Sequence, residues 1–184
     1  MDKSEKYTQL IKELTNLKEE GNILYSQNKK EEAKLKYKQA YEKFESEFSS
    51  KEKQSLLDEK NNEIILLLEK ILSNLALCYY TQEQYKEAIE IDKKLLEINP
   101  NFSKSLVRLF NSFIKLKDRR QAVYYGELFL QLEQGEKNKF KGIEEKIKEA
   151  KLKLGETGIF SKLVLPSIVL LLAILSFLIW KKYN

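Results

Sequence analysis

Histidine is absent from the 184 residues, and cysteine occurs once, at Cys78. Without histidine, histidine-based triads, the commonest general base and most zinc sites drop out. A single cysteine allows no internal disulfide and suits a reducing compartment. With no histidine beside it, Cys78 reads as a small core residue rather than a nucleophile. The six glycines build no phosphate-cradling loop. Proline occurs only twice, so long stretches run without a helix breaker. No segment shows the apolar–polar alternation of a half-buried strand. Acidic pairs such as Glu144-Glu145 read as solvated helix faces. Catalysis is thus poorly supplied, and the chain reads as a binding protein, not an enzyme, with no cofactor and no metal.

The formal net charge of +5 resembles a nucleic-acid signal, but much of it is local. Lys162, Lys181 and Lys182 follow Gly158 with no acid among them. With those three set aside, 30 basic residues face 28 acidic ones. No stripe of arginines and aromatics marks a nucleic-acid surface, and that partner is excluded.

What is present is helical. A third of the residues are charged, and apolar residues recur at helical spacing in every segment. Two stretches share a layout. GNILYSQNKKEEAKLKYKQAY (residues 21–41) places Gly21 on a first helix, Ala33 at a helix crossing, and Tyr37 and Ala40 on a second helix. NLALCYYTQEQYKEAIEIDKKLLEINP (residues 74–100) repeats this with Ala76, Tyr79, Ala88 and a terminal Pro100. A third unit follows in register with Leu106, Leu109, Phe113 and Ala122. It departs in having Phe110 at the small position and Gly126 in place of an aromatic. Residues 140–154 carry Phe140, Ile143, Ile147, Ala150 and Leu154 on one face, a helix suited to cover the last open core.

The layout resembles the tetratricopeptide (TPR) repeat, a helical hairpin of about 34 residues. The resemblance implies an all-α solenoid of three hairpins plus a capping helix over residues 1–154. The segment 44–62 would be a long insertion between the first two repeats, as in the TPR regions of large immunophilins. No prolyl-isomerase domain accompanies it.

The run LVLPSIVLLLAILSFLIW (residues 163–180) carries no charge. Eighteen residues at 1.5 Å each span about 27 Å, close to the hydrocarbon thickness of a bilayer. Pro166 falls in its first turn, where a missing amide is tolerated. Lys162, Lys181 and Trp180 occupy interface positions. The expectation is a single transmembrane helix acting as a tail anchor, with residues 155–162 as hinge, 181–184 as a short basic tail, and the repeats in the cytosol. The first twenty residues lack the apolar core of a secretory signal, and no arginine precedes Arg108 as a transit peptide would require. Basic flanks favour the mitochondrial outer membrane, with the endoplasmic reticulum second. The terminal KKYN matches a dilysine retrieval pattern, but a tail anchor places it on the side where that pattern is not read.

In stacked hairpins the first helices line a concave groove. Lys18 and Asn22 lie four apart, on one face of the first such helix, and Lys104 and Arg108 repeat the spacing on the third. Asn74 lies between them, on the first helix of the second repeat. Three cations and two amides make a receptor for carboxylates, with Arg108 offering a planar fork. Arginine occurs three times against thirty lysines, which makes its placement at 108 telling. These positions resemble the dicarboxylate clamp of co-chaperone TPR domains. That resemblance implies that Lys18, Asn22, Asn74, Lys104 and Arg108 hold the terminal carboxylate and last aspartate of an EEVD heat-shock chaperone tail. It also places Tyr25, Leu77 and Tyr80 against the peptide's apolar side chain. Two rivals are an accessory subunit of a large mitochondrial membrane complex and a fission-type tail-anchored adaptor. The latter family lacks the clamp.

Overall fold

A computed structural model describes residues 3–58, 63–133 and 141–154. The proposed hinge, membrane span and basic tail, and also Phe140, lie outside them. Eight helices and no strand occur among the described residues: α1 (Lys3–Ser26), α2 (Lys30–Glu47), α3 (Ser50–Asp58), α4 (Glu63–Thr81), α5 (Tyr85–Ile98), α6 (Ser103–Lys115), α7 (Arg119–Leu132) and α8 (Lys141–Lys153).

The pairs α1/α2, α4/α5 and α6/α7 pack as hairpins; α2 packs on α4, α5 on α6, and α7 on α8. The first helices also touch in succession, α1 with α4 and α4 with α6. All three crossing alanines, Ala33, Ala88 and Ala122, are fully buried, because only a methyl fits where two helix backbones approach. One core gathers Leu10, Leu14, Phe44, Ile64, Leu68 and Leu75 from α1, α2 and α4, and a second gathers Phe110, Phe113, Val123 and Ile147 from α6–α8. Each fully buried side chain of this size contributes about 1.5–3 kcal/mol. The capping helix is as expected where described: Ile147 and Ala150 are buried, and Ile143 and Leu154 pack half-buried beside them.

The departure in the third repeat is a size exchange. In the first repeat Gly21 faces the Tyr37 ring so closely that an added Cβ would lie 2.6 Å from Tyr37 Cε1. In the third, the bulky Phe110 is on the first helix and Gly126 on the second, where an added Cβ would meet Phe110 Cδ2 at 3.0 Å. One large and one small residue fill the same space, with their helices swapped.

Each hairpin turns through a residue in the left-handed region: Asn28 (φ 62°), Glu83 (φ 61°) and Lys117 (φ 60°). The next residue's amide reaches back five positions in every case: Lys29 to Leu24 (2.9 Å), Gln84 to Tyr79 (3.0 Å) and Asp118 to Phe113 (2.9 Å). These are Schellman endings built without glycine. The segment 44–62 is helical over most of its described part. The second helix of repeat one runs through Glu47, and α3 follows. Phe44 is buried there and its ring lies tilted against that of Phe48, which also meets Tyr7 edge-on. The only described helix long and apolar enough to cross a membrane is α4, and its buried Ile64, Leu68, Ile71, Leu72 and Leu75 make it the central core helix.

Candidate functional site

The helices distribute the eight candidate residues over three successive first helices. Lys18, Asn22 and Tyr25 lie on α1, Asn74, Leu77 and Tyr80 on α4, and Lys104 and Arg108 on α6. Contacts between α1 and α4 bring the first two sets together. A pocket of about 160 Å³ is lined by Asn22, Tyr25, Ser26, Tyr37, Asn74 and Leu77. Four of the eight candidates therefore share one cavity, mixing two amides with an aromatic and an aliphatic wall. Tyr80 does not line it; its ring packs edge-on against Tyr85, with centroids 5.6 Å apart.

The polar floor of the pocket is a short network. Asn22 Oδ1 accepts from Tyr37 Oη at 2.8 Å and from Asn74 Nδ2 at 3.0 Å. An amide oxygen has two lone pairs, so this one is fully used. Asn22 Nδ2 faces the other way and donates to Glu19 Oε2 at 2.9 Å. The second oxygen of the same carboxylate pairs with Lys18 Nζ at 2.7 Å. Hydrogen bonds from Lys18 and then Asn22 hold the Glu19 carboxyl below its usual range, and the field of Lys70 on α4 adds to this. Lys18 and Asn22 thus hold a carboxylate, one oxygen each.

The α6 end is built differently. Lys104 is exposed. Arg108 is buried, and its guanidinium donates from Nε to Asp92 Oδ2 at 2.8 Å and from Nη2 to Asp92 Oδ1 at 2.6 Å. Ser105 Oγ donates to the same Oδ1 at 2.7 Å. Asp92, on α5, is fully buried. Burial pushes its carboxyl upward against the opposing pull of Arg108 and Ser105. The sequence offers Arg108 as a cation of the groove; the structure pairs one edge of its guanidinium with Asp92. The acid was missed because it lies sixteen residues away on another helix.

Tyr37 and Asp92 occupy equivalent places, four residues after the crossing alanines Ala33 and Ala88. That register is the one signal by which the sequence could have identified them. Cys78 is fully buried, and burial pushes its thiol up to about 11, in keeping with a core role.

No family model matches the chain. Solved structures do resemble it. The C-terminal TPR-containing domain of a Plasmodium falciparum FK506-binding protein superposes with a TM-score of 0.61 at 27% identity, over 80% of this chain and 91% of that one. The first TPR of Spaghetti (RPAP3), solved bound to the HSP90 peptide SRMEEVD, matches with a TM-score of 0.56 at 16% identity, covering 79% of this chain and 98% of that one. The Hsp90 co-chaperone Cns1 from Saccharomyces cerevisiae matches at 0.58 and 20% identity, over 89% of this chain and 48% of that one. The architecture is that of a TPR solenoid.

Proposed function

We propose that the groove formed by α1, α4 and α6 binds the acidic C-terminal tail of a heat-shock chaperone, with EEVD-type chemistry, and that the protein is a TPR adaptor of the co-chaperone kind. One observation carries the reading. Lys18 and Asn22 already grip a carboxylate, that of Glu19, through separate oxygens at 2.7 and 2.9 Å. Glu19 is an exposed side chain that can swing aside. A peptide's terminal carboxylate presents the same two oxygens to the same pair. Asn74 closes the site from α4, the Tyr25/Leu77 wall receives the penultimate apolar side chain, and Lys104 and the remaining edge of Arg108 take the last aspartate. The likeness to an RPAP3 domain solved with an HSP90 peptide, and to an Hsp90 co-chaperone, supports this choice of ligand. Tyr80, packed on Tyr85, contributes to the rim.

Charge-assisted hydrogen bonds contribute about 1.5–3 kcal/mol each, and after desolvation and peptide ordering the net affinity is about micromolar. Binding weakens with salt, because the Lys18 and Lys104 ends are screened. The uncharged run at 163–180 supports a tail anchor that holds the groove at the cytosolic face of a membrane, the mitochondrial outer membrane first and the endoplasmic reticulum second. There it would concentrate a chaperone together with its client.

Calorimetric titration of the full chain in detergent micelles tests the ligand. A peptide ending in EEVD binds, and its C-terminally amidated version binds at least tenfold more weakly, about 1.4 kcal/mol. Equal binding of the two, or none, overturns the reading. Imaging a tagged chain with and without residues 159–184 tests the anchor: diffuse signal from both forms overturns it.

A further inference from the structure

The amide of Asn22 is useful to a carboxylate in only one of its two orientations. With Nδ2 toward the groove it donates; flipped by 180° about its last bond, it would present a lone-pair-bearing oxygen to an anion. The side chain alone has little preference between the two, since its nitrogen and oxygen have nearly the same size and shape. Something else must choose.

Its partners on both sides do so together. Tyr37 Oη approaches Asn22 Oδ1 at 2.8 Å, and Asn74 Nδ2 approaches it at 3.0 Å. Neither enforces the choice by itself: the Asn74 amide can flip together with that of Asn22, and a hydroxyl accepts as well as donates. The carboxylate on the other side decides it, since Glu19 Oε2 can only accept; it takes Nδ2 at 2.9 Å and leaves Oδ1 to the Tyr37 proton. The tyrosine hydroxyl sits at the end of a rigid ring. That ring is almost fully buried on α2 and rests on Gly21, where even a Cβ would come within 2.6 Å. The ring therefore has no space to swing, and its hydroxyl stays beneath Asn22. On α5 the equivalent residue, Asp92, also reaches a candidate groove residue, Arg108, through two hydrogen bonds. In two repeats, then, the position four residues after the crossing alanine supports a polar residue of a first helix.

We infer that Tyr37 is a positioning residue for ligand binding: from its rigid ring the hydroxyl anchors Asn22 Oδ1, so that the amide is held in place with Nδ2 toward an incoming carboxylate. The inference rests on the carboxylate-binding reading of the groove. Tyr37 touches the amide oxygen from below and acts on the ligand through Asn22. It also explains why a tyrosine serves where the packing alone would accept a phenylalanine.

The test is a double-mutant cycle on the full chain in detergent micelles, using the EEVD free-acid peptide and its amidated form. Tyr37→Phe removes one oxygen and keeps the ring. Its affinity for the free-acid peptide should fall by about threefold to tenfold, the range of one net hydrogen bond. Its preference for free acid over amide should shrink alongside. In an Asn22→Ala background, Tyr37→Phe should cause no further loss. Side-chain amide resonances of Asn22 in the ligand-free protein give a second readout, and they should shift and exchange faster with solvent in Tyr37→Phe. Unchanged free-acid affinity in Tyr37→Phe, or an equal loss in the Asn22→Ala background, overturns the positioning role while leaving the ligand reading intact. A wild-type protein that does not distinguish the two peptides overturns the ligand reading, and the positioning role with it.

Discussion

Arg108 and Asp92 form a buried, two-point ion pair between the third and second repeats, with Nε and Nη2 on α6 facing the two carboxylate oxygens on α5. The residue with the best geometry for an acidic ligand is therefore also a tie between adjacent hairpins. Its pairing leaves the α1 end, with Lys18 and Asn22, as the part of the groove that has its carboxylate partner in an exposed, exchangeable position.

Removing one member of this pair should cost more than removing both. Asp92→Ala leaves a buried guanidinium uncompensated and should lower stability by about 3–5 kcal/mol. Asp92→Leu combined with Arg108→Met should lose markedly less than the sum of the single changes. Urea unfolding followed by circular dichroism measures both, and additive losses would show that the pair is not coupled.

The two tight glycines should differ in tolerance. At Gly21 a methyl group meets three atoms of the Tyr37 ring at 2.6–2.9 Å, and a buried ring cannot bend away. At Gly126 the nearest atoms are Ile147 Cδ1 at 2.7 Å and Cγ1 at 2.8 Å, the outer part of a side chain that can change rotamer. Gly21→Ala is expected to cost about 1–3 kcal/mol, and Gly126→Ala less. Thermal unfolding of the two variants would contradict this if their order were reversed.

A stabilising change is available at the hairpin turns. Lys117 adopts φ 60° and Glu83 φ 61°, a region that charges non-glycine residues about 1–2 kcal/mol, offset in part by the larger chain entropy of glycine. Lys117→Gly should therefore raise stability by about 0.5–1 kcal/mol. Asn28, whose side chain tolerates this region, should gain little from the same change. An unaltered or lower melting temperature for Lys117→Gly would refute the argument.

Alkaline pH should expose Tyr37. Burial raises its hydroxyl from 10.0 to about 12, so the folded chain holds that proton more tightly than the unfolded one. The associated stability is fully present below pH 10 and is lost as pH rises through about 12. Two units correspond to about 2–3 kcal/mol. Across that window the wild type should lose more stability than Tyr37→Phe, which has no hydroxyl to ionise; parallel curves would contradict the assignment.

Much of the fold was legible because helix packing writes itself into local spacing. Gly21, Ala33, Ala76, Ala88 and Ala122 mark close approaches, and each is required within one hairpin, so a linear pattern records it. The exchange of Phe110 and Gly126 was visible as a departure, but its sense was not. Only the facing of the two residues shows that volume is conserved. The turns at Asn28, Glu83 and Lys117 were illegible for a different reason: the usual glycine signal is missing, and the surrounding hydrogen bonds impose the left-handed backbone.

The candidate groove divides along the same line. Helical periodicity and repeat register, which depend on neighbours a few residues apart, placed Lys18, Asn22, Asn74, Lys104 and Arg108 on first helices, and they recorded the uncharged run at 163–180. Which of these side chains are committed elsewhere is a matter of partners between 15 and 52 residues away, and no local pattern carries it. Folding brought Tyr37 beneath Asn22, Asp92 against Arg108, and Asn22 beside Asn74. Through those contacts it tied Asn22 and Asn74 into one network at the α1–α4 end of the groove and drew Arg108 into a buried ion pair.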